Sequence, residues 1–203
     1  CIRDSAYDIS REIHDNSEGG FWSLNRAYNT LFKEAKGDII VTLQDNIWIP
    51  QDGIRKFVEA IEKTDGIITG VGDQYAIRGE YGKPEVKVWS DPRKTDAFGT
   101  FYECNWNDCE WNWAAFPKKY IDEIGGMDEK LDFLGYGGDQ FQVCDRWNDS
   151  GKSFYIDQTN ESFSIQHGRV DGWDKHHVLR NGEYEKRKSE LKKSGEWPYL
   201  RNI

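Results

Sequence analysis

The sequence predicts an α/β fold, and three observations predict it. Segments with helical spacing alternate with short apolar runs along the first third of the chain. Those runs have no polar face, as expected of strands covered on both sides. Their order, helix–strand–helix–strand, calls for crossover connections between neighbouring strands.

The first helix is expected over residues 23–36. Ser23 serves as N-cap, and Leu24, Ala27, Leu31 and Ala35 fall on one face. Gly37 ends it. Ile39, Ile40, Val41 and Leu43 then form a strand expected to be central and buried. Pro50 opens a second helix with Ile54, Phe57, Val58 and Ile61 toward the core. Residues 67–71 read as another buried strand. From Gly72 to about Asn112 no period holds, which predicts irregular strands and a long loop. Pro117 starts a short helix that Gly125 and Gly126 close, and Gly137 and Gly138 precede a helix over residues 139–149. Residues 154–156 and 163–165 read as late strands. The domain is expected to span residues 1–178. A polar, Lys/Glu-rich tail with one helix would occupy 179–203, exposed to solvent.

Composition narrows the function. The 203 residues suffice for one domain with its own core. With 36 acidic against 27 basic residues the net charge is −9, the wrong sign for a nucleic-acid partner. No apolar run reaches membrane-spanning length. The nine Trp, ten Tyr and ten Phe can build a core, and they are also platforms for flat ligands such as sugars and bases. The chain opens on Cys1 and its single Met is Met127, so the natural start is expected upstream. Cys104 and Cys109 lack the paired spacing of a zinc site. A disulfide between them is geometrically open. Free thiols in a cytoplasmic protein are the expectation.

Three short motifs carry candidate chemistry. The first is the turn Gln44-Asp45-Asn46 at the end of the apolar strand. A carboxylate there points into the crevice where α/β sheets bind ligands, and could hold a divalent cation against a diphosphate. It could equally be a polar turn before a helix. The second is Gly135-Tyr136-Gly137-Gly138-Asp139-Gln140, with an acid in a helix's first turn, where the dipole favours its ionised form. An ordinary acidic cap reads the same way. The third is Gln166-His167-Gly168, a histidine leaving a strand. A structural histidine is its alternative, and His176 and His177 are assigned no role.

The order of these motifs resembles the GT-A glycosyltransferases, especially family 2 and the β-1,4-galactosyltransferase type. Leu24-Asn25-Arg26-Ala27 is similar to their nucleotide-contacting segment, and residues 36–41 to the strand before their Asp-x-Asp metal motif. Trp113-Ala114-Ala115-Phe116 and Ile124-Gly125-Gly126-Met127-Asp128-Glu129 resemble their run into the acceptor site. Residues 135–140 resemble their Gly-Trp-Gly-Gly-Glu-Asp, and His167 stands where they place a metal-binding histidine.

The resemblance implies a GT-A-like sheet, mixed but mostly parallel, flanked by helices and truncated at its N-terminal side. It implies sugar transfer from a nucleotide diphosphate donor to a hydroxyl acceptor, with inversion. Asn25, Arg26, Asp45 and Asn46 would bind the donor. Asp45 and His167 would hold Mn²⁺ or Mg²⁺. Trp113, Tyr136, Gly137 and Gly138 would contact acceptor or sugar, and Asp139 would be the base. Two departures stand out. Gln44-Asp45-Asn46 replaces two aspartates, and Gln140 stands at the usual base position, where an amide cannot accept a proton. A non-catalytic carbohydrate-binding or scaffold module and a fragment of an active parent are the alternatives. A truncated sheet edge would also invite self-association.

Overall fold

The computed structural model describes residues 24–44, 47–77, 84–134, 140–165 and 173–200. The helices are α1 (Leu24–Glu34), α2 (Gly53–Thr64), α3 (Lys118–Glu123), α4 (Gln140–Asp149) and α5 (Trp173–Ser194). The strands are β1 (Ile39–Leu43), β2 (Ile47–Trp48), β3 (Ile67–Ile77), β4 (Pro84–Ser90), β5 (Phe101–Cys104), β6 (Trp113–Pro117) and β7 (Phe154–Ile165). The chain divides into two compact units. One is Cys1–Asp38 with Lys118–Ser150 and Val170–Ile203; the other is Ile39–Pro117 with Gly151–Arg169. The boundary expected at residue 178 is not a boundary between these units.

The second unit holds a mixed sheet whose main path is β1-β6-β3-β7-β2, with β4 on β3 and β5 on β7. Among the described pairings only β3 with β7 is parallel, so the expectation of a mostly parallel sheet is corrected. β1 ends the path instead of running through its centre. Among the described strands it pairs with β6 alone, antiparallel, and Val41 is half-buried and Leu43 50% exposed. The central places go to β3 and to β6, all five of whose residues are buried. Sequence periodicity did not single out β6, because Trp-Ala-Ala-Phe-Pro is too short to show a period. Helix α2 covers this sheet through Phe57 and Ile61, which cluster with Ile68, Trp113 and Ala115. Ile54 was expected on that face and is 52% exposed: the buried stripe follows Gly53, Phe57 and Ile61, at spacing four.

The sheet is folded over. Laid flat, β1 and β2 would sit four strand spacings apart, about 19 Å. Gln44, bonded to β6 through its N–H to Asn112 (3.0 Å), is only three peptide steps from Ile47, at most about 11 Å. The turn is made where β3 and β7 change register. Gly70 faces Asp157 and the next residue, Val71, faces Glu161, so three residues, Gln158, Thr159 and Asn160, are extra in β7. The two late strands expected at 154–156 and 163–165 are therefore one strand with an insertion.

In the first unit, α1 buries Asn25 and Phe32, not the Leu24/Leu31 face. The Asp132 carboxylate accepts the N–H groups of Asn25 (2.7 Å) and Arg26 (3.2 Å) and so caps α1 from a distant segment. Gly125 ends α3 with φ +74, and a Cβ there would lie 2.2 Å from the Leu200 carbonyl oxygen, so no other residue fits. The C-terminal segment is not an exposed tail. In α5, Tyr184 and Leu191 are buried, Arg187 meets Asp128 at 2.6 Å, and Tyr184 and Lys188 both donate to Asp145 at 2.5 Å. A polar composition concealed this, because one apolar residue per two turns is enough to seat a helix over buried carboxylates.

Candidate functional site

In the second unit the strands next to the expected ligand segments are paired. β2 pairs antiparallel with β7, Ile47 facing Ser164 and Trp48 facing Phe163. In an antiparallel ladder, the chain before β2 and the chain after β7 leave from the same end. Asp45 lies two residues before Ile47 and His167 three residues after Ser164. Asp45, Asn46 and His167 themselves lie outside the described residues, as do Tyr136, Gly137, Gly138 and Asp139. Helix α4 begins at Gln140, the residue after Asp139. Among the described residues, no three His, Cys, Asp or Glu side chains are grouped to hold a metal ion.

Beside the ladder end stands a row of rings on three neighbouring strands. Trp48 stacks on Phe163 with centroids 5.4 Å apart and planes 7° from parallel, and Tyr75 meets Phe163 edge-on at 5.9 Å. Trp48 is 38% exposed. Cross-strand aromatic pairs of this kind stabilise a short ladder, which matters for a two-residue strand.

Trp113, expected as a sugar-stacking ring, is core. It is 2% exposed, packs on Phe57 with centroids 4.5 Å apart, and donates its indole N–H to Asn160 Oδ1 at 3.0 Å. An indole with both faces covered has none left for a sugar. Asn160, fully buried, in turn donates to the Gly53 carbonyl at 2.9 Å. Sequence reading missed Asn160. The signal was the polar run Gln158-Thr159-Asn160 between two apolar strand segments, and it passed for a loop.

Charged groups lie along the folded part of the sheet. Asp73 is buried, and it accepts from Lys87 (2.8 Å), Lys94 (2.8 Å) and Ser90 (2.9 Å). Burial alone would raise its carboxyl, but these donors outweigh burial and hold it well below the ordinary carboxylate range. Lys94 also pairs with Glu161. Arg93 fills the gap between β6 and β4. Its guanidinium donates to Asp91, to the Gly70 carbonyl (3.2 Å) and to the Asp108 carbonyl (2.8 Å), while Asp91 accepts the Gly72 N–H at 3.1 Å. Burial raises the Glu110 carboxyl nearby, against the pull of Arg93. Burial likewise pushes the Cys104 thiol up to about 12, which leaves it protonated and inert near neutral pH.

In the first unit, Asn25 and Arg26 are where α1 begins. Asn25 is buried and its side-chain oxygen accepts from Gln142 at 3.1 Å, so it serves structure and not a nucleotide. Arg26 is exposed and lies 3.4 Å from Glu129. Its guanidinium is open to a ligand.

A mixed sheet flanked by helices, in which β2 and β7 pair beside the segments that carry the acidic turn and the histidine motif in sequence, is an α/β arrangement of the GT-A type. A sequence model described as glycosyl transferase family 2 matches residues 16–138. The chain belongs to that family. No curated protein sequence matches it. Among solved structures it is similar in fold to GalNAc-T7, crystallised with UDP, GalNAc and Mn²⁺, with a TM-score of 0.51 at 17% identity. The match covers 74% of this chain and 31% of that one, so the chain spans about a third of that protein's length.

Proposed function

We propose that this domain transfers a sugar from a nucleotide diphosphate donor to a hydroxyl acceptor, with inversion and with the help of a divalent cation. The observation that carries the reading is the β2–β7 ladder, from whose one end the segments bearing Asp45 and His167 both depart. One carboxylate and one imidazole suit Mn²⁺, with Mg²⁺ as the harder alternative. Asp45 and His167 would hold the cation, which supplies charge neutralisation for the leaving diphosphate. GalNAc-T7, similar in fold, binds UDP and Mn²⁺, which supports this choice.

The chain's own groups have the following roles. Asn46 and the exposed Arg26 bind donor oxygens. Asp139 accepts the proton of the acceptor hydroxyl as that oxygen bonds to the anomeric carbon and the bond from that carbon to the diphosphate oxygen breaks. Tyr136, Gly137 and Gly138 line the acceptor. Gln140 can only position, since an amide is no base. The test is nucleoside diphosphate release from a panel of nucleotide sugars with Mn²⁺. Asp139→Asn should lower turnover about 10²–10⁴-fold with donor affinity unchanged. Full turnover in that variant would remove Asp139 from the role.

The amides at Gln44 and Gln140 favour a second reading, a carbohydrate-binding module without turnover. It keeps glycan binding and releases no diphosphate from any donor. Pairing of a second copy along β1, which borders no other described strand on its outer side, is the association we propose. Light scattering at high concentration decides it, and a clean monomer counts against it.

A further inference from the structure

We infer that Asn160 and Trp113 are positioning residues for the proposed donor site: they hold the fold in the sheet at which β2 pairs with the end of β7, the two strands next in sequence to Asp45 and His167. The inference rests on the proposed donor site and adds what fixes its geometry. Three extra residues in β7 would ordinarily be loose, because nothing in the ladder opposes them. Here each is tied. The Gln158 N–H donates to the Thr100 carbonyl at 2.8 Å, and its side chain bonds Thr95 and Gly99. The Thr159 N–H and hydroxyl both donate to Asp157, at 2.9 and 2.8 Å, and Lys56 donates to the Thr159 carbonyl at 2.8 Å. Asn160 alone points inward, using its oxygen for Trp113 and its amide for Gly53.

The fit around that pair permits one arrangement. A Cβ on Gly70 would lie 2.4 Å from Trp113 Cδ1 and 2.5 Å from the Asn160 carbonyl oxygen. A Cβ on Gly53 would lie 2.7 Å from Trp113 Cζ2 and 2.8 Å from Asn160 Oδ1. Two glycines, an indole and a buried amide thus lock the insertion against β3, β6 and the start of α2. On the other side of the same turn, Asp91 and Arg93 hold Gly70 and Gly72. Immediately beyond it β7 resumes, pairs with β2, and runs on toward His167. Releasing the insertion lets the second half of β7 swing away from β1, while the β1–β6–β3 ladder stays paired.

The test compares Asn160→Ala and Trp113→Phe with Ile121→Ala, a core change in α3 of the first unit, in the full chain. Hydrogen exchange is read by segment. Exchange should be about tenfold faster at Ile47, Trp48, Phe163 and Ser164 in the first two variants, with Ile67–Gly70 nearly unchanged. Binding of UDP with Mn²⁺ should weaken about tenfold or more in those two, as for groups that orient metal ligands. Ile121→Ala should lower the melting temperature with both readouts near wild type. Uniform loss of protection in all three variants, or unchanged exchange at Ile47 and Ser164, overturns the inference. Failure of the wild-type chain to bind UDP with Mn²⁺ overturns the donor-site reading instead, and the exchange pattern then decides this inference alone.

Discussion

Trp113 and Asn160 are 47 residues apart in sequence and share one buried hydrogen bond of 3.0 Å at the turn of the sheet. Trp113→Phe keeps most of the ring and removes the donor, leaving the Asn160 oxygen buried without it. Such an orphaned acceptor costs about 1–3 kcal/mol, which urea unfolding measures directly. A change below a few tenths would mean that the ring alone is responsible.

Gly70 and Gly182 should respond in opposite directions to the same substitution. Gly70→Ala drives a methyl into Trp113 and the Asn160 backbone, and overpacking of this kind costs about 1–3 kcal/mol or more. Gly182 lies in α5, where an added methyl would have nothing within 4 Å, so Gly182→Ala should stabilise by about 0.5–1 kcal/mol through helix propensity. Thermal melts of the two variants, run side by side, check both signs.

Asp73 predicts acid sensitivity. An isolated aspartate titrates near 3.8, and Lys87, Lys94 and Ser90 hold this one lower. In the acid range the unfolded chain therefore binds more protons than the folded one, so stability falls as pH drops. The contribution is complete above about pH 4 and is lost progressively below it. Asp73→Asn should flatten that part of the curve. Denaturant unfolding between neutral pH and about pH 3 checks this, and an unchanged slope in the variant contradicts it.

Much of the fold was legible because apolar runs and glycine stops are local signals. β1, α2, the start of β3, α3 and α4 lie where periodicity placed them to within a few residues. What could not be read was pairing. Whether Ile39–Leu43 is central or terminal depends on β6, about 70 residues further along the chain, and no local pattern reports that. Asn160 illustrates the same limit for the site: a polar residue amid strand residues reads as a loop until its partners at Gly53 and Trp113 are known. Trp113 went wrong in the other direction, because an aromatic beside a family motif suggests a ligand while its burial comes from glycines at 53 and 70. Asp45 and His167 were read as two separate motifs, and the register of Ile47 with Ser164 shows that the strands beside them pair, which no local pattern reports.

The C-terminal helix should prove integral to the first unit. Leu191 is 3% exposed, and Leu191→Ala should cost about 2–5 kcal/mol, as other buried leucines do. Arg187→Ala leaves the buried Asp128 without its closest cation and should destabilise by a comparable amount. A freely solvated tail would show neither effect in thermal unfolding.

Whether Asp45 and His167 form a donor site is decided by titration calorimetry of Mn²⁺ with and without UDP, on the wild-type chain and on Asp45→Ala and His167→Ala. Mn²⁺ alone should bind weakly and bind more tightly with UDP, and each variant should lose about tenfold or more in affinity. Equal affinity in all three proteins would contradict the assignment of both residues.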